Sequence, residues 1–251
     1  MPGTNSLERM LSVLAAFNDD RLEWTPDELI SHFGFSRPTL YRYLKILTDA
    51  GLLASLPPGR YMLGPRVVEM DYLLRMSDPL ILAGSDVAEA LAMRFEGTAL
   101  LMRWYGNRLV CVHNATAPNA PMVNLMRGKP MEMRRGSTVR VIIAAMPRRK
   151  ALPLVQRLLE DFSDTGIGNN TEAVFDALRE VRRRGFATST GEVMPGITGT
   201  SAPILDASRM PVGALCLTQH AERVDPANID SIARPVIAGA EAISRALASR
   251  A

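Results

Sequence analysis

The chain has 251 residues, room for one large domain or two ordinary ones, and its 47% apolar and 22% charged content is that of a globular protein with ample core. No apolar run approaches the roughly 18 residues of a membrane span, and residues 1–5 open no signal peptide, so a cytoplasmic location without a membrane partner is expected. Two cysteines, Cys111 and Cys216, make neither a disulfide framework nor a zinc cluster, no metal or cofactor is expected, and a net charge of +3 is too small to argue by itself for nucleic acid.

The first segment reads as three helices and a hairpin. Residues 6–17 place Leu7, Met10, Leu11, Leu14 and Phe17 at helical spacing, an apolar stripe. Thr25-Pro26-Asp27-Glu28 is a capping box with proline at the first helical position; Leu29, Ile30 and Phe33 give the second helix its buried face, and Gly34 ends it. Ser36 starts a third helix that runs to Gly51. The runs 52–55 and 60–63 then flank Leu56-Pro57-Pro58-Gly59, a turn-bearing hairpin. Together these predict a winged helix-turn-helix over residues 1–64.

A linker helix is expected within 65–78, with Val67, Met70, Leu73 and Leu74 at helical spacing, able to pair with a second copy or to pack on the preceding domain. Residues 79–251 mix the two element types: a helix at 80–94, strands at 98–104 and 108–113 across Tyr105-Gly106-Asn107, helices at 138–146, 148–161 and 171–184, strands at 186–190, 199–205 and 212–218, and a helix at 226–248. That pattern predicts an α+β sensor domain.

Charge is uneven along this plan. Residues 1–76 carry 8 basic and 9 acidic side chains, and 127–150 carry 8 and 1. The strongest positive run therefore lies outside the segment assigned to DNA.

In the third helix Leu40, Leu44 and Leu47 should pack inward with Tyr43 beside them, leaving Arg37, Thr39, Tyr41, Arg42 and Lys45 outward. No acidic residue occurs within 29–48, so that face is positive. Such a helix suits the major groove: Arg37 and Thr39 at its start for bases, Ser36 for a phosphate, Arg42 and Lys45 for either. Arg60, on the hairpin, is a candidate backbone or minor-groove contact.

The stretches SRPTLYRYLKIL, GLL and GRYMLGPRVVEM resemble the isocitrate lyase regulator (IclR) family of bacterial transcription factors, and the likeness continues through 127–147, 185–206 and 210–220. The resemblance implies a homodimer, or a dimer of dimers, on double-stranded DNA carrying a palindromic operator, and a GAF-like effector domain that answers to a small metabolite. It carries the effector site onto Ser137 and Thr138 as backbone donors, Ser189, Gly199, Cys216 and Thr218 as polar contacts, and Met131 and Ile197 as apolar walls. It also marks Glu192 and Gly196, spaced four apart. This chain departs from the family pattern at Ser189, Gly199, Glu132, Arg134 and Val139-Arg140. The less acidic site beside Arg134 points to a bulkier or more anionic ligand, an aromatic acid being one option.

The residues alone support part of this. Gly136-Ser137-Thr138 precedes the apolar run 139–146, so unpaired N–H groups collect at a helix N-terminus, a natural carboxylate site. Cys216 and Thr218 sit two apart on a strand and share a face. The functional expectation is a ligand-responsive regulator of a bacterial catabolic operon, with a small organic acid as effector, and no enzyme. The alternatives are an enzyme carrying a DNA-binding module, for which Cys216 has no evident histidine partner and 166–170 lacks the lysine of a phosphate loop, and a regulator that has lost its ligand.

Overall fold

The structure is a computed structural model, which describes residues 5–106 and 108–249; Asn107, at the tip of the hairpin expected over 105–107, lies outside the described residues. The chain divides into two compact units, residues 1–77 and 78–251, so the linker helix falls with the first.

In the first unit α1 (Ser6–Ser12) is followed by one 3-10 turn (Leu14–Ala16), α2 (Pro26–Phe33), α3 (Arg37–Asp49), β1 (Leu53–Leu56), β2 (Arg60–Leu63) and α4 (Pro65–Ser77). The single helix expected over 6–17 is thus broken at Val13. Only part of the stripe faces the core: Met10, Leu14 and Phe17 pack partly buried against it, whereas Leu7 and Leu11 are exposed and the fully buried residues are Val13 and Ala16. The turn that breaks α1 serves Trp24, whose indole N–H donates to the Ala16 carbonyl at 3.1 Å.

The capping box forms as read: Thr25 Oγ1 accepts from the Glu28 N–H, and Glu28 accepts in return from the Thr25 N–H at 2.8 Å. That backbone N–H is the main cause holding the Glu28 carboxyl below its ordinary range. Gly34 then closes α2 in the left-handed region at φ +68°. Leu40, Tyr43, Leu44 and Leu47 of α3 are all buried, with Leu29, Phe35 and Leu53, as one core. β1 and β2 pair antiparallel from Leu53↔Leu63 to Leu56↔Arg60, and Trp24 adds a bridge to Tyr61. At Gly64 a Cβ would come 2.2 Å from the Gly51 carbonyl oxygen, so the close return of the wing to the end of α3 requires glycine there.

In the second unit α5 (Pro79–Phe95) precedes the hairpin β3 (Thr98–Trp104) and β4 (Leu109–Thr116), the short β5 (Pro130–Met131), four helices α6 (Ser137–Ala145), α7 (Arg148–Arg157), α8 (Leu159–Asp164) and α9 (Thr171–Arg184), then β6 (Ala187–Thr190), β7 (Ile197–Leu205), β8 (Pro211–His220) and α10 (Asp230–Ala248). The six strands form one antiparallel sheet in the order β5-β4-β3-β8-β7-β6. Two apolar layers flank it. Leu101, Ile204 and Leu215 are buried with the apolar stripes of α5 and α10, while Leu100, Met102 and Cys216, one pleat away, are buried with α6 and the helices behind it.

The helix expected over 148–161 is interrupted at Leu158, whose φ −100° and ψ 13° leave the helical region; Pro153, inside α7, also removes one backbone donor. The last helix starts at Asp230 rather than 226, after a 3-10 turn over Pro226–Asn228. No described helix is long and apolar enough to cross a membrane.

Candidate functional site: a basic helix face and a polar cavity

The outward face of α3 is as the spacing requires. Arg37, Tyr41, Arg42 and Lys45 are exposed and Thr39 is half-buried. Ser36 starts the helix with no side-chain bond to its backbone; its hydroxyl donates to Thr39 Oγ1 at 2.8 Å. Two of the cations already have partners. Arg37 pairs with Asp27 of α2 at 2.7 Å, and Arg60 with Glu23 at 3.1 Å. An exposed pair of this kind contributes about 0–1 kcal/mol and yields readily to a phosphate or a base edge. If this face meets DNA, replacing Asp27 by Asn frees Arg37 and removes a charge that repels phosphates. Operator affinity, measured by titration at fixed salt, should rise a few-fold; an unchanged affinity would show that the pair does not compete with DNA.

The basic run 127–150 is partly paired within its own unit instead. Arg134 pairs with Asp161 at 3.0 Å, Arg135 with Asp164 at 2.9 Å, Arg140 with Glu192 at 2.9 Å, and Arg148 with Glu172. Four of its eight cations are thus matched by acids that follow the run in the chain.

All eight residues expected at the effector site line one cavity: Met131, Ser137, Thr138, Ser189, Ile197, Gly199, Cys216 and Thr218. Its volume is about 40 Å³. That holds one or two waters. The polar floor comes from α6, β7 and β8. Ser137 Oγ and Thr138 Oγ1 lie 2.8 and 3.0 Å from Ser201 Oγ, and the Ser137 N–H donates to Ser189 Oγ at 3.0 Å. Thr218 Oγ1 donates to the Thr98 carbonyl, which leaves its lone pairs available to a ligand. The Cys216 thiol is raised above its ordinary range, chiefly by burial, against hydrogen bonds to Ser201, Thr138 and Ser137. A thiol so held is neutral and a poor nucleophile.

Ser201 was not among the expected residues, although Ile197, Gly199 and Ser201 alternate on β7 and so share a face. Strand period alone was signal enough to find it. The apolar wall of Val123, Leu125, Val193 and Met194 was also missed. These residues sit in loops, where no periodicity marks a buried side.

Arg134 does not line the cavity itself. It is engaged by Asp161 and lines an adjoining open depression with Arg135, Glu132 and Glu192, which shares Leu125, Met131 and Val193 with the cavity. The charge at the cavity rim is Glu192. Its carboxylate accepts from the Gly136 N–H at 3.1 Å and from Arg140 at 2.9 and 3.2 Å, and the Arg140 side chain, 6% exposed, also donates to the Thr188 carbonyl. The positive end of α6 is therefore already faced by one carboxylate of the chain itself.

Both halves of this arrangement match known proteins. The family described as bacterial transcriptional regulator IclR C-terminal matches residues 77–245, and that described as IclR helix-turn-helix domain matches residues 6–57. The transcriptional regulator XynR of Escherichia coli is 25% identical over 252 residues, covering 98% of each chain. Among solved structures, an IclR transcriptional regulator from Alicyclobacillus acidocaldarius superposes with a TM-score of 0.80 at 20% identity, covering 96% of this chain and 98% of that one. An IclR homolog from Microbacterium hydrocarbonoxydans, complexed with 4-hydroxybenzoate, superposes with a TM-score of 0.76 at 20% identity, covering 97% and 99%. A winged helix with a basic outward face, a sheet domain closing on a polar cavity, and matches spanning both place this chain in the IclR family of bacterial transcriptional regulators.

Proposed function

We propose that the chain represses or activates a catabolic operon by binding a palindromic operator, and that a small organic acid held in the cavity of the second unit controls it. The observation that carries this is the convergence of α6, β6, β7 and β8 on one enclosed space with a hydroxyl- and thiol-lined floor and an apolar roof. A buried group of polar side chains costs stability unless it is satisfied, and a hydrogen-bonding ligand is what such a floor can use. An entering carboxylate meets the first turn of α6 by turning the Ser189 hydroxyl away from the Ser137 N–H. The present volume admits one or two waters; an acid, and a ring above all, requires the roof residues Val123, Leu125, Val193 and Met194 to move outward. Since the Microbacterium relative was crystallised with 4-hydroxybenzoate, aromatic acids belong in the first panel beside short ones. Catalysis finds little support here, because the cavity pairs a neutral thiol with no histidine or carboxylate among its lining residues.

We also read the protein as a homodimer. The linker helix α4 buries none of its apolar side chains, and Val68, Met70, Tyr72, Leu73 and Met76 are all more than half exposed. That is a surface a second copy would cover.

The DNA half is tested by footprinting on the promoter-proximal DNA of the chain's own locus. Arg37→Ala should lower affinity for the operator about 10- to 100-fold and erase its margin over unrelated DNA, the worth of one bidentate base contact at roughly 1–3 kcal/mol. Lys45→Ala should weaken all sequences alike and flatten the salt slope. Unaltered operator preference in the Arg37 variant would remove α3 from base reading. The effector half is tested by thermal shift against the acid panel, since a ligand of the folded state raises the melting point by mass action.

A further inference from the structure

We infer that the second unit carries another ligand site, for a small dianion or polyanion, in the open groove between the C-terminal end of α9 and α10. The groove is about 910 Å³ in volume, with small side chains, Ala144, Ala202 and Ala240, among those that line it. It shares no lining residue with the enclosed cavity, so it is a separate site.

Five guanidinium groups line it, against two carboxylates, Asp206 and Glu241. Two of the five are committed elsewhere. Arg182 caps the end of α6, donating to the carbonyls of Ala144 and Met146 at 2.6 Å each, and Arg183 is held by Glu180. Asp206 keeps its charge, with one carboxylate oxygen turned to the Met210 N–H in the turn between β7 and β8. What remains is Arg184 from α9, Arg209 from that turn and Arg245 from α10. Arg184 lies 4.2 Å over the Phe186 ring, and Arg245 reaches Glu241 only at 3.9 Å. Among the described residues neither Arg184 nor Arg209 has an ion-pair partner.

Three guanidiniums from three separate elements around one concave space are a poor arrangement for a surface without a ligand, because like charges repel and each is only partly screened. They suit a molecule carrying two or three negative charges, which planar N–H forks bind better than ammonium groups do. The groove also follows the free edge of β7, where β6 pairs only with Thr198 to Ser201. A peptide strand is not what fits there: Pro203 has no N–H, and the Leu205 N–H is already spent on Ser244 Oγ at 2.9 Å. The edge is closed to strand addition, and the charge is left for a discrete anion. Phosphate esters and polycarboxylates share the required chemistry.

The experiment is a titration of the full-length protein with inorganic pyrophosphate and, separately, citrate, against sodium chloride at matched ionic strength, read by melting temperature. The comparison protein is the double variant Arg209→Gly/Arg245→Gln. Arg209 sits at φ +59°, a conformation glycine adopts without strain, so the double variant should fold. One or both anions should raise the melting point of the parent by a few degrees over chloride, as a ligand at about ten times its Kd does for a domain of this size. The double variant should respond no more than to chloride. A response to pyrophosphate alone assigns the site to phosphate esters, and to citrate alone assigns it to polycarboxylates. No shift beyond chloride, or an equal shift in the double variant, overturns the proposal. So does a concentration-dependent rise in mass that the double variant loses with no anion effect, which would give the groove to a second copy of the chain.

Discussion

Glu192→Ala should lower the melting temperature of the second unit by roughly 6–12 °C. The substitution leaves the Arg140 guanidinium, 6% exposed, without its carboxylate partner inside the protein. Removing one member of a buried pair costs about 3–5 kcal/mol, and the 17% exposure of Glu192 puts this case near the lower end. For a domain of this size each kcal/mol is worth about 2–4 °C. The same substitution strips the acceptor from the Gly136 N–H, so the first turn of α6 loses its anchor to the loop between β6 and β7. Two controls make the reading specific. Glu180→Ala breaks an ion pair of similar length on the surface and should leave the melting point where it was. The double variant Arg140→Met/Glu192→Leu removes both charges and should recover most of the loss, because two apolar side chains of similar volume need no partner. A drop of less than about 2 °C for Glu192→Ala, followed by calorimetry, would mean that water reaches Arg140 and that the pair does not hold the rim of the cavity.

The elements with strong local chemistry were legible in the sequence. Helix α9 begins and ends where expected, at Thr171 and Arg184, because Asn170 caps its start and Gly185 turns left-handed at φ +79° after it. The capping box at Thr25 follows from residue types alone. The first helix shows where such reading stops. Leu7 and Leu11 satisfy helical spacing, yet periodicity cannot say whether the partner surface lies within the same chain, and here they are exposed. The linker helix carries the same ambiguity. At the cavity, the period of a strand and the chemistry of a helix N-terminus pointed to Ser137, Thr138, Cys216 and Thr218, and the family resemblance supplied Met131, Ser189, Ile197 and Gly199. Long-range pairing was not readable. Arg134 meets Asp161, 27 positions away, and Glu192 reaches Gly136 across 56, so which charge faces the cavity is decided only once the sheet brings those segments together.

The largest functional change is expected from filling the cavity at Gly199. A Cβ placed there would lie 3.1 Å from Ser137 Oγ, 3.5 Å from Ser189 Oγ and 3.7 Å from Cys216 Sγ, so every added carbon points into the space a ligand must use. Its φ is not in the left-handed region, and a β-branched residue suits a central strand, so the backbone tolerates the change. Gly199→Ala takes up part of the free 40 Å³ and Gly199→Val more than is available. Overpacking of this size costs roughly 1–3 kcal/mol, a few degrees in melting point, and leaves the winged helix untouched. Operator affinity in the absence of acid should therefore match that of the parent. For the acid that raises the melting point of the parent, the alanine variant should need a higher concentration, and the valine variant should show no shift and no release or capture of DNA at 100 times the parent's midpoint. A valine variant that still answers to the acid would place the effector elsewhere. If no acid in the panel moves the parent while benzoate-sized and acetate-sized members both fail, the polar floor is a vestige of a lost ligand, and the parent should already behave as the valine variant does.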